Sequence, residues 1–156
     1  MPIKRLQHGV ALLEVMISVL ILAVGLLGLA QLQILTLKYN ESAYLRSQAS
    51  TLAANILDRM RANQLATQAG NYNFALSDTP PVSPSLLADI DIVGWLNNIS
   101  LFMPAGSSGV VSCADSINTD TIACSEGSLH TVTISWVEVQ DDGSRGTNSF
   151  AYSGVL

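Results

Sequence analysis

Residues 9–33 read GVALLEVMISVLILAVGLLGLAQLQ, and this stretch decides how the chain folds. No charged residue occurs in the 23 residues from Val15 to Leu37, and Ser18 is the one polar side chain between Val15 and Ala30. An α-helix rises about 1.5 Å per residue, so these residues span about 35 Å, enough for a hydrocarbon core of ~30 Å. The stretch therefore predicts a membrane-spanning helix.

Basic residues before the predicted span indicate its orientation. Lys4, Arg5 and His8 precede it, and Glu14 is the first acidic residue of the chain. The positive-inside rule places this end in the cytoplasm. The apolar run continues into helical sequence without a small-residue cleavage site close behind it, which argues against a secretory signal peptide that is removed. We expect a single-pass membrane protein whose C-terminal part lies outside the cytoplasm.

The composition of that C-terminal part excludes several functions. After residue 65 the chain has one basic residue, Arg145, against nine acidic ones, so direct binding of nucleic acid is not expected. The two cysteines, Cys113 and Cys124, lie in the exported part, where oxidising conditions favour a disulfide. Without clustered histidines they do not indicate a zinc site. His130 stands alone, without a G-x-S-x-G motif, so we expect neither a catalytic residue nor a cofactor.

Helix formers dominate from Ala11 to about Ala66, and Gly70-Asn71 is expected to break the helix. Beyond Lys38 the pattern becomes amphipathic, which predicts that one face packs on a domain. The residues of that face recur at steps of three and four: Leu45, Ala49, Leu52, Ile56 and Met60.

The rest of the chain predicts a small α+β head. The proline-rich residues 77–85 indicate an extended connector. A short helix is expected before Pro104, and we expect Asp89 or Asp91 to cap it rather than to bind calcium. Residues 110–113, 130–140 and 149–156 predict strands, the last two joined by a turn. We expect a small antiparallel sheet packed on the second half of the long helix.

The residues GVALLE, with Lys4 and Arg5 before them and an apolar helix after them, resemble the prepilin leader of type IV pilins and type II secretion pseudopilins. That leader usually reads glycine, phenylalanine, threonine, leucine, a branched apolar residue and glutamate. Residues 9–33 look like the PilV branch of minor pilins in particular. Trp95 on a short helix, the MPAGSSG loop and the TVTISW strand are similar to that branch.

This resemblance implies a pilin-like fold and specific roles for three residues. Gly9 matches the glycine after which an inner-membrane prepilin peptidase cuts, and Val10 matches the new N-terminal residue, which the same enzyme methylates. Glu14 matches the glutamate used in filament assembly. Two positions depart from the usual leader, because Val10 replaces phenylalanine and Ala11 replaces threonine.

Glu14 also has a physical interpretation that is independent of the resemblance. A carboxylate at the bilayer centre costs about 2.5 to 3.5 kcal/mol, so such a residue usually has a partner. Processing would create a cationic amine at Val10, and the low dielectric would strengthen pairing between Glu14 of one subunit and that amine of its neighbour. The alternative is that Glu14 reaches water at the cytoplasmic interface and has no role in assembly.

The expected organisation is a leader at 1–9, a transmembrane half-helix at 10–37, an amphipathic half-helix at 38–69 and an exported head at 70–156.

Gly25 and Gly28 either loosen the helix in a filament or permit close packing.

The favoured function is a structural subunit, a minor pilin that primes the pilus and resides at or near its tip, with links to twitching motility and adhesion. Its expected partners are the prepilin peptidase, other minor pilins, the major pilin, the inner membrane and its assembly platform, and a tip adhesin. The alternative is a minor pseudopilin of type II secretion. A third class, a membrane-anchored enzyme or receptor, is disfavoured because the sequence contains no recognisable site for it.

Overall fold

The computed structural model describes residues 8–82, 84–114, 124, 127–140 and 143–156. The chain divides into two compact units, the first ending at Glu41 and the second running from Ser42 to Leu156. The described elements are, in chain order, α1 (His8–Ala62), α2 (Gln64–Gln68), α3 (Leu87–Phe102), β1 (Ser108–Ala114), β2 (Leu129–Val139) and β3 (Arg145–Val155).

The described residues of the first unit form the N-terminal part of α1, and their described side chains are mostly exposed. Among the described residues, α1 is the one helix that is long and apolar enough to cross a membrane, and none of its most apolar window is buried. Length and composition therefore allow this helix to span a bilayer, as the sequence predicts.

In the second unit, α1 contributes one buried face to the core. All five residues of the predicted stripe are buried, and Ala53 and Leu57 widen it because they are fully buried as well. Arg46, Ser50 and Asp58 lie on the exposed face. The amphipathic pattern is therefore confirmed in this part of the helix, where polar groups face solvent and apolar groups face the head.

The end of the long helix differs from the prediction. α1 stops at Ala62, and Asn63 separates it from the short helix α2, whereas the sequence suggested one helix to about Ala66. Gly70 has a positive φ of 76°, a conformation that glycine adopts without steric cost, and the chain turns there. The helix break predicted at Gly70-Asn71 is thus present, after a first interruption that the sequence did not reveal.

Helix α3 ends before Pro104, as predicted, but the predicted cap is wrong. Its N-cap is Leu86, which has an extended backbone and makes no capping hydrogen bond with its side chain. Asp89 lies in the first turn and Asp91 is buried on the face that packs on the core. Asp91 accepts hydrogen bonds from Arg59 and Tyr72 in the interior, so it does not cap the start of the helix.

The three described strands form one antiparallel sheet in the order β1-β2-β3. The predicted strand at 130–140 is the central strand β2, and Val132, Ile134 and Trp136 all point to the core, with 1% exposure or less. β3 runs back beside β2, with Ile134 opposite Phe150. The α+β, pilin-like arrangement is confirmed, because one face of the long helix packs against a small antiparallel sheet.

Gly109 allows β1 to approach α3 closely. It is buried and pairs with Ile134 of β2. A Cβ atom added to Gly109 would collide with the indole ring of Trp95, and it would lie 2.6 Å from Cδ1 of Ile99. The absence of a side chain is therefore what lets the strand rest on the helix.

We predict that Gly109→Ala destabilises the second unit by about 1 to 3 kcal/mol, the range typical of overpacked cores. Urea unfolding of the full chain in detergent can be followed by tryptophan fluorescence, because both tryptophans, Trp95 and Trp136, lie in this core. Gly94→Ala is the matched control. Its new Cβ would lie 3.8 Å from Nη1 of Arg59, an ordinary contact, so no loss of stability is expected in helix α3. Equal unfolding midpoints for the two variants would contradict this packing.

Candidate processing and assembly site

The predicted processing site lies at the start of α1. The helix begins at His8, so the backbones of Gly9 and Val10 are helical. The basic residues Lys4 and Arg5 lie outside the described residues. Residues four apart in a helix share a face, so an amine created at Val10 would start on the same face as Glu14.

Glu14 is exposed and surrounded by exposed apolar side chains. Its neighbours Leu13 and Val15 are 61% and 60% exposed. The hydroxyl of Ser18 donates a hydrogen bond to the backbone oxygen of Glu14 at 2.8 Å, which does not engage the carboxylate. Within the described part of the chain, Glu14 takes part in no ion pair. The carboxylate is therefore available to a group from outside the chain.

The helix around Glu14 offers a long apolar surface without internal packing. Cβ atoms added at Gly25 and Gly28 would meet nothing within 4 Å. A shallow groove further along is lined by Leu29, Leu32, Gln33, Thr36 and Leu37, and the Thr36 hydroxyl is bonded to the Leu32 carbonyl. This surface can contact lipid or the helices of neighbouring subunits, since both are apolar.

A polar cluster in the second unit joins α1, α3 and the turn between them. Nη1 of Arg59 donates to Oδ1 of Asp91 at 2.9 Å, and the hydroxyl of Tyr72 donates to the other carboxylate oxygen at 2.7 Å. Nδ2 of Asn63 donates to the Tyr72 hydroxyl at 3.2 Å, and Nε of Arg59 donates to Oδ1 of Asn55 at 3.0 Å. Both carboxylate oxygens of Asp91 are thus satisfied, which a buried charge requires.

The environment of Tyr72 reflects the same cluster. Burial and the hydrogen bond to Asp91 raise the pKa of Tyr72 to about 12. The phenol therefore keeps its proton at physiological pH and donates a hydrogen bond to Asp91. This arrangement fixes the turn after α2 to helix α3 and so stabilises the fold.

The sequence contained a signal for this cluster. Asp91 is spaced three or four residues from Ala88 and Trp95, both of which are buried apolar residues of α3. A carboxylate in an apolar stripe predicts an interior partner, and Arg59 lies one residue before the last member of the α1 stripe, Met60. The position of Asp91 near the expected helix start predicted capping instead.

A second group of polar residues lies at one end of the sheet. A disulfide joins Cys113 and Cys124, whose Cα atoms are 5.8 Å apart, and Nδ2 of Asn73 contacts Sγ of Cys124 at 3.2 Å. His130 lies opposite Cys113 on the buried face, and burial lowers its pKa below 6.5. Among the described residues, neither Nδ1 of His130 nor Oγ of Ser128 has a hydrogen-bond partner.

These groups do not assemble a recognisable catalytic or metal site. Within the ranges that the structure describes, no three histidine, cysteine or acidic side chains are grouped as metal ligands. The sulfur atoms of Cys113 and Cys124, which could otherwise bind a metal, are joined in the disulfide. The chemistry with the clearest functional meaning is therefore at the N-terminal helix.

Comparison with known families agrees with that location. Residues 4–30 match the family model described as the prokaryotic N-terminal methylation motif. No curated protein matches the chain, and no solved structure matches it. The match includes Gly9, Val10 and Glu14, indicates a prepilin-type N-terminal signal and supports a general role as a type IV pilin or pseudopilin. It does not reach the head, so the resemblance to the PilV branch stays a prediction.

We predict that Asp91→Asn destabilises the second unit by about 1 to 3 kcal/mol, because a hydrogen bond to a charged group is lost and Arg59 is left without its counter-charge. The Arg59 side chain is 36% exposed, so water can solvate it in part and limit the loss. Urea unfolding of the detergent-solubilised full chain measures the change.

Asp89→Asn is the matched control for this prediction. Asp89 is only half-buried and makes a favourable helix-dipole interaction that is typically about 0.3 to 1 kcal/mol. If Asp89→Asn lowered the free energy of unfolding as much as Asp91→Asn or more, the buried cluster would not stabilise the head.

Proposed function

We propose that the chain is a minor pilin, a structural subunit of the type IV pilus that is processed in the inner membrane and then joins the filament. The observation that carries this proposal is the methylation motif at residues 4–30, followed by an apolar helix that can span a bilayer. An exported head with an acidic sequence suits a subunit exposed to solvent.

The proposed path of the chain follows from the motif. The leader, residues 1–9, faces the cytoplasm, and the prepilin peptidase cuts after Gly9 and methylates Val10. Residues 10–37 remain in the inner membrane, while residues 38–156 lie in the periplasm, where Cys113 and Cys124 form their disulfide. The processed subunit then contacts other minor pilins and the major pilin at the assembly platform and takes a place at or near the tip, where a tip adhesin is a further partner.

The proposed role of Glu14 rests on its environment. Its carboxylate is exposed on an apolar helix, and the described part of the chain provides it with no ion pair. A neighbouring subunit supplies a cation at its processed Val10 amine. Attraction between the two charges is strong in a medium of low dielectric constant, so it selects the axial position at which a new subunit docks.

We predict that the mature protein begins at Val10 and is one methyl group heavier than the unmodified chain. N-terminal sequencing and intact mass measurement of protein from cells with and without the prepilin peptidase test this. Gly9→Val should leave the leader attached. Gly25→Val is the matched control in the same helix, because a Cβ atom added at Gly25 meets nothing within 4 Å. This variant should be processed normally. An uncut chain in cells that contain the peptidase would refute the proposal.

We predict that Glu14→Gln leaves processing intact but lowers incorporation into pili by at least about tenfold, equivalent to the loss of about 1.4 kcal/mol of docking energy. Immunoblots of sheared pili, normalised to the membrane pool, measure the change. Ser18→Ala is the control, because Ser18 lies one turn away and its hydroxyl contacts only the backbone of Glu14.

Unchanged incorporation of Glu14→Gln would show that the charge has no role in docking. A defect in export of a secreted protein, with normal piliation and twitching in a strain that lacks the gene, would identify the chain as a pseudopilin and contradict the pilus assignment.

A further inference from the structure

The two edges of the sheet in the second unit differ in their protection. On the β1 edge, Phe74 pairs with Val111 through a short antiparallel bridge, with reciprocal backbone hydrogen bonds of 2.9 Å. On the opposite edge, β3 pairs with β2, and no other described segment pairs with it. β3 therefore presents the outward-pointing backbone N–H and C=O groups of an 11-residue strand.

The sequence of β3 lacks the features that usually protect such an edge. It reads RGTNSFAYSGV, without lysine or proline, and pairs with β2 at eleven successive positions without a bulge. Arg145, its first residue, is its only charged residue. Natural edge strands are commonly blunted by charges, prolines or bulges, so a regular edge of this length with a single charge at its first residue indicates a pairing surface.

The side chains of β3 also remain partly uncovered on both faces. Thr147, Ser149, Ala151 and Ser153 are exposed on the outer face. On the face turned toward the core, Phe150 is only partly buried and Tyr152 is 43% exposed. Two aromatic rings at the edge of a core are thus left for a neighbouring strand to cover.

We propose that β3 pairs antiparallel with β3 of a second copy of this chain, in a register centred on Ala151. This register places Phe150 of each copy opposite Tyr152 of the other, so the two partly exposed aromatic pairs cover one another. The two sheets then form one continuous sheet across a two-fold axis.

The distribution of charge favours a second copy in this orientation. The exported part of the chain is strongly acidic, yet β3 contains no acidic residue, so two copies can approach along this edge without opposed carboxylates. A parallel arrangement would place the two Arg145 side chains together. The antiparallel arrangement separates them by roughly 40 Å along the strands, at about 3.4 Å per residue.

The contact is small, which determines where pairing occurs. A single pair of edge strands buries less surface than the roughly 800 Å² per partner of a stable interface. The dimer is therefore expected to dissociate in dilute detergent and to form where copies are concentrated in a membrane. This inference rests on the fold of the second unit alone and holds whether or not the chain is processed or enters a pilus.

Cysteine cross-linking of the full chain in native membranes tests the proposal. Residues at the two-fold centre face each other with Cα atoms about 4.5 to 5.5 Å apart, a separation that a disulfide can bridge, so Ala151→Cys should give a disulfide-linked homodimer under mild oxidation. Ala75→Cys is the matched control, an exposed alanine next to Phe74 at the opposite edge. We expect at least about tenfold more dimer from Ala151→Cys.

The register has its own test. Thr147→Cys and Val155→Cys lie opposite each other in the proposed pairing, so cells that express both tagged variants should form the mixed disulfide, while Thr147→Cys alone should not dimerise. Mass spectrometry identifies the linked cysteines. Equal dimer from Ala151→Cys and Ala75→Cys, a link through Cys113 or Cys124, or a link from position 151 to a different protein would each overturn pairing with a second copy.

Discussion

The burial of one face of α1 against the sheet and α3 is the interaction on which the second unit depends. Leu52, Ile56 and Met60 from the helix meet a core that includes Trp95 and Trp136. The indole N–H of Trp95 also donates to the carbonyl of Leu52 at 3.0 Å, so the largest side chain of α3 is fixed to the helix that it packs on. Because one helix supplies a whole wall of the core, the head requires the second half of α1 in order to fold.

Polar contacts decide how the elements around that core are arranged. Apolar burial is not directional, whereas the carboxylate of Asp91 has two oxygens that must be satisfied by specific donors. Arg59 and Tyr72 supply them from α1 and from the turn after α2. The buried cluster therefore selects one position of α3 on the helix, and Gly109 permits the strand that follows to close over it.

The parts of this structure that the sequence predicted are those with a local periodic signal. The alternation around Ile134 identified β2, and steps of three and four identified the buried face of α1, because in both cases one side of the element meets the core. The interior position of Asp91 depends on Arg59, a partner distant in sequence, and no periodic signal marks the interruption at Asn63. The motif at Gly9, Val10 and Glu14 is recognisable because its residues lie within six consecutive positions, although their proposed roles involve an enzyme and other subunits.

Asp91 and Glu14 are both carboxylates in apolar surroundings, but they differ in whether the described part of the chain supplies a counter-charge. Asp91 is buried, and its counter-charge and hydrogen-bond donors come from the same chain, so its requirement is met when the head folds. Glu14 lies on an apolar helix, and the described residues form no ion pair with it. A carboxylate that enters lipid without a partner costs free energy, and a cation from another molecule removes that cost. Under the proposed function, the processed amine of a neighbouring subunit supplies that cation, so the requirement of Asp91 is met by folding and that of Glu14 by assembly.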